Sequence, residues 1–460
     1  KEFVDEHPEI THVQLLLHQW DYSGTVDSEA MANNKNNKYM YELLKKYDLT
    51  QIASYYVVDE PADTEANEKL IKDLAAGISG FAPDIKNIVT TNNSKYDGYI
   101  SCWCPLWNMI DKSFVAGKQA LGEHVWWYGC AVPAAPYPTY HLNDNLLSPR
   151  IVHWMQKDYG VEGELYWATT LFDYYKGGGN YVARDVWTNP YTSEGLPGDG
   201  YLCYPGKEGD GIIDDNVPVP TIRLEVMRDG MEDYEYLWLY EQKLNALIEK
   251  YNLDITADDA LQMFFAGLYK DTADWSLDTQ RLYYTREKLA ELITADDDFI
   301  CFLDANAKEG VISIFTNGNE TVKVNGKTVS GENGRYKVNV TVDETLYLNE
   351  FTVSVGNKER TLFVFPDKLN AVETLVTVDG NEAAIAAANK KAVVTATNGK
   401  ITAQLTEKGK YFDIPVSAIN TNVDLSKYTH IRMRISQNGS EMTDELIIGF
   451  RSSFSTYELT

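Results

Sequence analysis

The stretch Tyr55-Tyr56-Val57-Val58-Asp59-Glu60-Pro61 runs an apolar strand straight into two neighbouring carboxyl groups and stops it with a proline. Two adjacent carboxyls in a partly dry pocket cannot both ionise easily, so one is driven to hold its proton and can act as an acid near neutral pH. Breaking a glycosidic bond is one reaction that needs such a donor. The same three residues also suit a helix start, where acids cap free N–H groups and oppose the dipole. At the C-terminal mouth of a (β/α)8 barrel they would occupy the position where catalytic side chains sit.

Composition narrows the partners. The formal charge of −27, from 68 acidic against 41 basic side chains, disfavours nucleic acid and anionic membrane and favours a neutral or cationic ligand. Aromatics are abundant, with 31 Tyr and 10 Trp, many of them between Tyr96 and Tyr204. Flat rings stack on the C–H faces of sugars, and they also fill large cores. Five cysteines (Cys102, Cys104, Cys130, Cys203, Cys301) show no Cys-x-x-Cys spacing and no histidine at zinc spacing, so they read as buried thiols. Gly209-Asp210-Gly211 with Asp214-Asp215-Asn216 could hold calcium, but the spacing departs from an EF-hand loop, and neither a metal nor a cofactor is expected. No window is long and apolar enough for a membrane span, and 1–9 lacks signal-peptide character.

The elements that would position these residues follow from hydrophobic period. Short apolar runs at 54–58, 87–91, 99–104, 124–130 and 164–168 alternate with helical patterns at 63–76, 142–159, 222–251, 257–269 and 277–293, the order of an α/β fold with parallel strands. On 222–251 the apolar face is expected to be Leu224, Met227, Met231, Tyr234 and Trp238. After 296–298 the period changes to two, with strands at 311–315, 322–324, 336–342 and 351–355 separated by Asn-Gly turns, which predicts a small immunoglobulin-type β-sandwich over 299–366. A third, β-rich region, 369–460, is expected to carry strands at 392–397, 401–405, 411–415, 431–435 and 445–450 and to resemble a carbohydrate-binding module that is cut short.

The acid pair belongs to a longer series: Trp126-Trp127-Tyr128-Gly129-Cys130, Pro136-Tyr137-Pro138-Thr139, Arg150, Trp154-Met155, Tyr159-Gly160, Gly163-Glu164-Leu165-Tyr166-Trp167, Gly198-Asp199-Gly200, Tyr204-Pro205-Gly206, and Ile222-Arg223-Leu224-Glu225 leading into Arg228-Asp229-Gly230-Met231-Glu232-Asp233-Tyr234-Glu235-Tyr236-Leu237. In this order, over 55–239, the blocks resemble the catalytic domain of glycoside hydrolase family 123, the β-N-acetylgalactosaminidases. That resemblance implies a (β/α)8 barrel over 1–295 and substrate-assisted retaining hydrolysis, in which the sugar's own acetamido oxygen attacks the anomeric carbon. It implies that Glu60 protonates the leaving oxygen and later deprotonates water, while Asp59 holds the acetamide N–H. The partner is then a glycan, and the setting secreted or cell-surface.

Around this pair, Trp126, Trp127 and Tyr128 end a strand, so alternation sends some of them inward to line a sugar site, with the Tyr128 hydroxyl free to bond the acetamide oxygen, or else they pack on crossover helices. Trp167 is expected as the floor under the sugar ring. Asn92, after a strand, could bond sugar hydroxyls or merely turn the chain, and Tyr204 could wall the pocket or pack its glycine-rich loop. Glu164 and the Arg223–Glu235 block read as structural. If 54–58 is the fourth barrel strand, the roughly fifty residues before it are short of three βα units of about thirty each, so the barrel is expected to lack its front, with at most one strand from 12–19. Two other readings stay open: a non-catalytic glycan-binding protein, and a β-glycosidase with an enzyme nucleophile.

Overall fold

The computed structural model of the protein describes residues 1–18, 26–193, 196–206, 217–296 and 298–366, and in the C-terminal stretch 376, 378, 380–388, 393–397, 400–404, 414–419, 448–451 and 456–459. The chain divides into two compact units, Lys1–Asn370 and Ala371–Thr460.

The first unit is built on a six-stranded sheet in which spatial order equals chain order: β1 (Val13–Gln14), β2 (Ala53–Val58), β3 (Lys86–Val89), β4 (Cys102–Trp103), β5 (His124–Gly129) and β6 (Gly163–Tyr166). Every neighbouring pair is parallel. Among the described residues this barrel-like wall has six strands, with one of them, β1, before the strand of the acid pair, as the short front implied. Among the described residues β1 and β6 are the two edges, and the strand carrying the acid pair is second, not fourth.

Alternation divides the sheet's side chains between two faces. Tyr56, Ile88, Cys102, Cys104, Trp126, Tyr128 and Leu165 gather on one of them. Tyr55, Val57, Val89 and Trp103 form the other, packed on Leu70, Ile71, Leu74 and Ile78 of a crossover helix.

Short helices α1 (Glu2–Glu6), α2 (Ser28–Asn33) and α3 (Lys35–Lys46) precede β2. Helix α4 (Glu65–Ser79) starts where the Thr64 side chain accepts from the Asn67 N–H, and α5 (Lys112–Gln119) where Asp111 accepts from Phe114. Helix α6 (Ser148–Tyr159) begins six residues later than its apolar pattern suggested, because Pro149 suits only the first turn, and Gly160 in the left-handed region closes it.

Helix α7 (Ile222–Tyr251) buries Arg223, Met227, Gly230, Asp233, Leu237, Tyr240 and Leu244, whereas Met231 and Trp238 stand exposed. The expected apolar face is therefore displaced around the helix. What displaces it is a buried polar centre. Asp233 accepts from Arg150 Nε at 2.6 Å, Trp154 Nε1 at 2.9 Å and Arg286 Nε at 2.5 Å, which turns a charged residue inward. Gly230 lets α6 approach, since a Cβ there would stand 2.6 Å from His153 Nδ1.

Helices α8 (Ala257–Ala266) and α9 (Thr279–Thr294) lead to two antiparallel sheets, one of β7 (Ile300–Ala305), β8 (Glu309–Phe315) and β11 (Arg335–Thr341), the other of β10 (Lys327–Thr328), β9 (Val322–Val324), β12 (Asn349–Val355) and β13 (Lys358–Val364). Asn325 and Gly326 both take positive φ, the geometry of a tight hairpin turn that only such residues adopt at low cost. Phe363 meets Phe264 of α8 at 6.0 Å and Tyr284 of α9 at 5.1 Å, so these sheets share one apolar core with the helices and the expected division near 295–299 is not a break in the core.

In the second unit, α10 (Glu382–Ala388) and the hairpins β14 (Val393–Thr397)–β15 (Lys400–Gln404) and β16 (Ile448–Arg451)–β17 (Thr456–Leu459) are described. Val378, Ile385, Val394 and Ala418 form its small core. Helix α10 has no counterpart in the sequence-based expectation, 414–415 is not strand, and 411–413 and 431–435 lie outside the described residues. Among the described residues no helix is long and apolar enough to cross a membrane.

Candidate active site

Strand β2 carries the acid pair past its last residue, Val58, at the C-terminal rim of the parallel sheet. The Tyr56 hydroxyl donates to Asp59 Oδ1 at 2.5 Å, and the Tyr128 hydroxyl donates to Glu60 Oε1 at 2.5 Å. Thr90, just beyond β3, joins the two acids: its Oγ1 accepts from the Glu60 backbone N–H at 2.5 Å and donates to Asp59 Oδ1 at 3.3 Å. Glu60 sits at φ +42, a left-handed conformation that costs a side-chain-bearing residue about 1–3 kcal/mol. Thr90 and the bend before Pro61 hold it there.

Burial pushes the Tyr56 and Tyr128 hydroxyls well above their ordinary range, and the accepting carboxylates push them further, so both remain proton donors. Asp59 and Glu60 are themselves exposed. The partly dry pocket expected from sequence is thus an open rim.

The three aromatics at the end of β5 part company. Tyr128 faces the acid pair. Trp126 points to the same side of the sheet but two residues lower, about 6.6 Å down the strand, where its ring covers Gly163 and meets His12 edge-on at 4.6 Å. Trp127 is fully buried on the opposite face, between Trp107 at 6.3 Å and Tyr159 at 5.8 Å. Trp127 is therefore a core residue, sent away from Tyr128 by period two, whereas Trp126 is half-buried on the face that Tyr128 shares.

Trp167, one residue past β6, is 43% exposed and donates from Nε1 to Asp199 Oδ1 at 3.1 Å. Asn92 spends its amide on the Met109 carbonyl at 2.8 Å, fixing a loop. Tyr204 stacks on Trp187 at 4.4 Å. Glu164, paired in register with Trp127, lies on the outward face, buried beside His153 at 3.5 Å and accepting from Tyr140. Burial raises its carboxyl above the usual range. Cys102, Cys104 and Cys301 are buried thiols, while Cys130 and Cys203 are only half-buried. The loop 209–216, considered for calcium, lies outside the described residues, and among the described residues no cluster of His, Cys, Asp or Glu is arranged for a metal.

Tyr56, Thr90 and Asp199 were not singled out in the sequence. Tyr56 and Thr90 were legible in principle, since period two from Ile88 points Thr90 to the side that Tyr56 shares. Asp199 arrives from a loop distant in sequence, which no period signals.

Residues 17–240 match the family model described as "Glycoside hydrolase 123, catalytic domain". No curated protein matches the chain. Among solved structures, a family 123 glycoside hydrolase from Clostridium perfringens, studied for glycolipid glycan hydrolysis, is similar at 15% identity and a TM-score of 0.37, over 58% of this chain and 44% of that one. An FMN-binding β-glucuronidase from Facaelibacterium prausnitzii L2-6 (10% identity, TM-score 0.22, 72% of this chain and 44% of that) and a putative β-galactosidase from Bacteroides fragilis (11%, 0.23, 72% and 43%) also match. The chain thus spans less than half the length of these proteins. The matched stretch, 17–240, holds the acid pair and most of its surroundings.

Proposed function

We propose that this protein is a glycoside hydrolase that releases a β-linked N-acetylhexosamine, N-acetylgalactosamine in the first instance, by substrate-assisted retaining hydrolysis. The observation that carries the reading is the pair Asp59–Glu60 at one strand end, each carboxyl oriented by its own tyrosine hydroxyl and both tied to Thr90. Neighbouring acids with separate anchors suit two different jobs on one ligand.

In this mechanism Glu60 gives its proton to the leaving glycosidic oxygen as the acetamide carbonyl oxygen attacks the anomeric carbon. Asp59 accepts the acetamide N–H and offsets the positive charge of the cyclic oxazolinium. Glu60, now ionised, takes a proton from the water that opens the ring, which restores both acids and retains the β configuration. The open rim leaves exclusion of water to the bound sugar. When Glu60 is protonated it no longer needs the Tyr128 hydroxyl, which is then free to bond the acetamide oxygen. A secreted or cell-surface setting, where glycans are exposed, goes with this activity.

Hydrolysis of aryl β-N-acetylgalactosaminide tests the reading. Glu60→Gln is expected to lower kcat by about 10²–10⁴-fold, and full activity in this variant would remove Glu60 as the acid. N-acetylgalactosamine-thiazoline should inhibit tightly and competitively, because only acetamide participation makes it resemble the intermediate. Weak inhibition with preserved turnover would point to an enzyme nucleophile, and glycan binding without turnover to a binding protein. Parallel assays on the gluco-configured aryl glycoside decide the sugar.

A further inference from the structure

We propose that Asp199 is a positioning residue that sets the Trp167 indole as a fixed stacking platform beside the acid pair. The inference rests on the proposed sugar site and assigns a role to a residue outside the reacting atoms. Asp199 is a buried carboxylate, its side chain only 3% exposed, so it cannot reach a sugar. What it reaches are rings: Oδ1 accepts from Trp167 Nε1 at 3.1 Å and from the Tyr166 hydroxyl at 3.0 Å. The Tyr166 hydroxyl in turn accepts from the Gly200 N–H at 2.9 Å, closing a small loop of bonds under the indole.

The glycines beside Asp199 complete the support. Gly200 is at φ +77, and a Cβ there would stand 2.5 Å from the Trp167 ring, so the indole packs directly against backbone that a side chain would displace. The 43% exposure of Trp167 shows that the ring is not enclosed. Gly198, at φ +84, is held by Arg223, which also donates to the carbonyls of Tyr140 and Tyr201 and so pins the turn to α7.

Strand pairing links this cluster to the acids: Tyr128, whose hydroxyl holds Glu60, pairs with Leu165, and Gly129 pairs with Tyr166, the residue before Trp167. His141 Nε2 stands 3.2 Å from the Cys130 carbonyl and 3.9 Å from Asp199 Oδ1. An exposed, supported indole near a proton donor offers a sugar a flat apolar face, and a clamped ring loses less freedom on binding than a loose one.

The test uses the full chain with aryl β-N-acetylgalactosaminide. Asp199→Ala and Asp199→Asn are expected to raise KM, by about tenfold for the alanine, while kcat stays within about threefold. The intrinsic tryptophan emission should shift as the indole N–H loses its carboxylate. In a Trp167→Ala background, Asp199→Ala should add nothing further to KM, because its effect travels through the ring. Asp199→Asn keeps an acceptor of the same shape and serves if the alanine variant does not fold.

Additive effects in the double variant, a fall in kcat at constant KM, or loss of one limb of the pH profile would each overturn the positioning role. So would an unchanged KM in Trp167→Ala. These failures are separable from failure of the proposed function, which is read from turnover by the parent protein, from Glu60→Gln and from thiazoline inhibition.

Discussion

At the scale of single residues, the acid pair is organised by hydroxyl groups more than by burial. Thr90 is the hinge of that arrangement, since one oxygen serves the backbone of Glu60 and the side chain of Asp59. Thr90→Val keeps the shape and removes both bonds. It is expected to lower kcat on the aryl glycoside by about tenfold, equivalent to about 1.4 kcal/mol of barrier, with KM little changed. Glu164 makes a different prediction. Burial raises its folded-state carboxyl above the value in the unfolded chain, so below the unfolded value both states are protonated and no penalty applies. As pH rises past about 4.5, the unfolded chain ionises first and stability falls until the folded-state value is passed. Glu164→Gln should therefore lose this slope and melt higher than the parent at neutral pH, in paired thermal scans at acid and neutral pH.

At the scale of elements, the inward face of α7 is organised around one buried charge centre. Asp233 is shared by Arg150 of α6, Arg286 of α9 and the Trp154 indole, so it ties three helices at a single point. Asp233→Ala leaves two guanidinium groups beside an empty acceptor site and is expected to cost about 3–5 kcal/mol, measured by denaturant unfolding. The same centre explains why the helix's buried face was misread. Apolar periodicity follows hydrophobic residues, whereas here Arg223 and Asp233 occupy inward positions and leave Met231 and Trp238 outside. The strands were easier to read: 54–58 and 124–130 overlap β2 and β5 closely, because apolar runs of that length between helical patterns have few other homes.

At the scale of the whole molecule, the sheets of 300–364 are structural partners of the helices. Phe363→Ala opens a hole against Phe264 and Tyr284 and should destabilise the first unit by about 3–5 kcal/mol, seen as an earlier unfolding transition. The net charge of −27 acts over the same scale. Self-repulsion is screened within about 10 Å at 0.1 M salt, so the melting temperature is expected to rise from low salt to 0.1 M and above.

The chain's one-dimensional pattern was enough to determine the order of α and β elements, the position of Asp59 and Glu60 at a strand end, and Tyr128 as an inward neighbour. Each of these depends on period or adjacency, which survive in a linear string. Which indole is buried, which carboxylate sits inside a helix cluster, and that Thr90 bonds Asp59 and Asp199 bonds Trp167 were decided only in three dimensions. Those choices hinge on hydrogen bonds between residues far apart in sequence, 31 positions for Thr90 with Asp59 and 32 for Trp167 with Asp199, and on the competition for burial that only a packed core resolves.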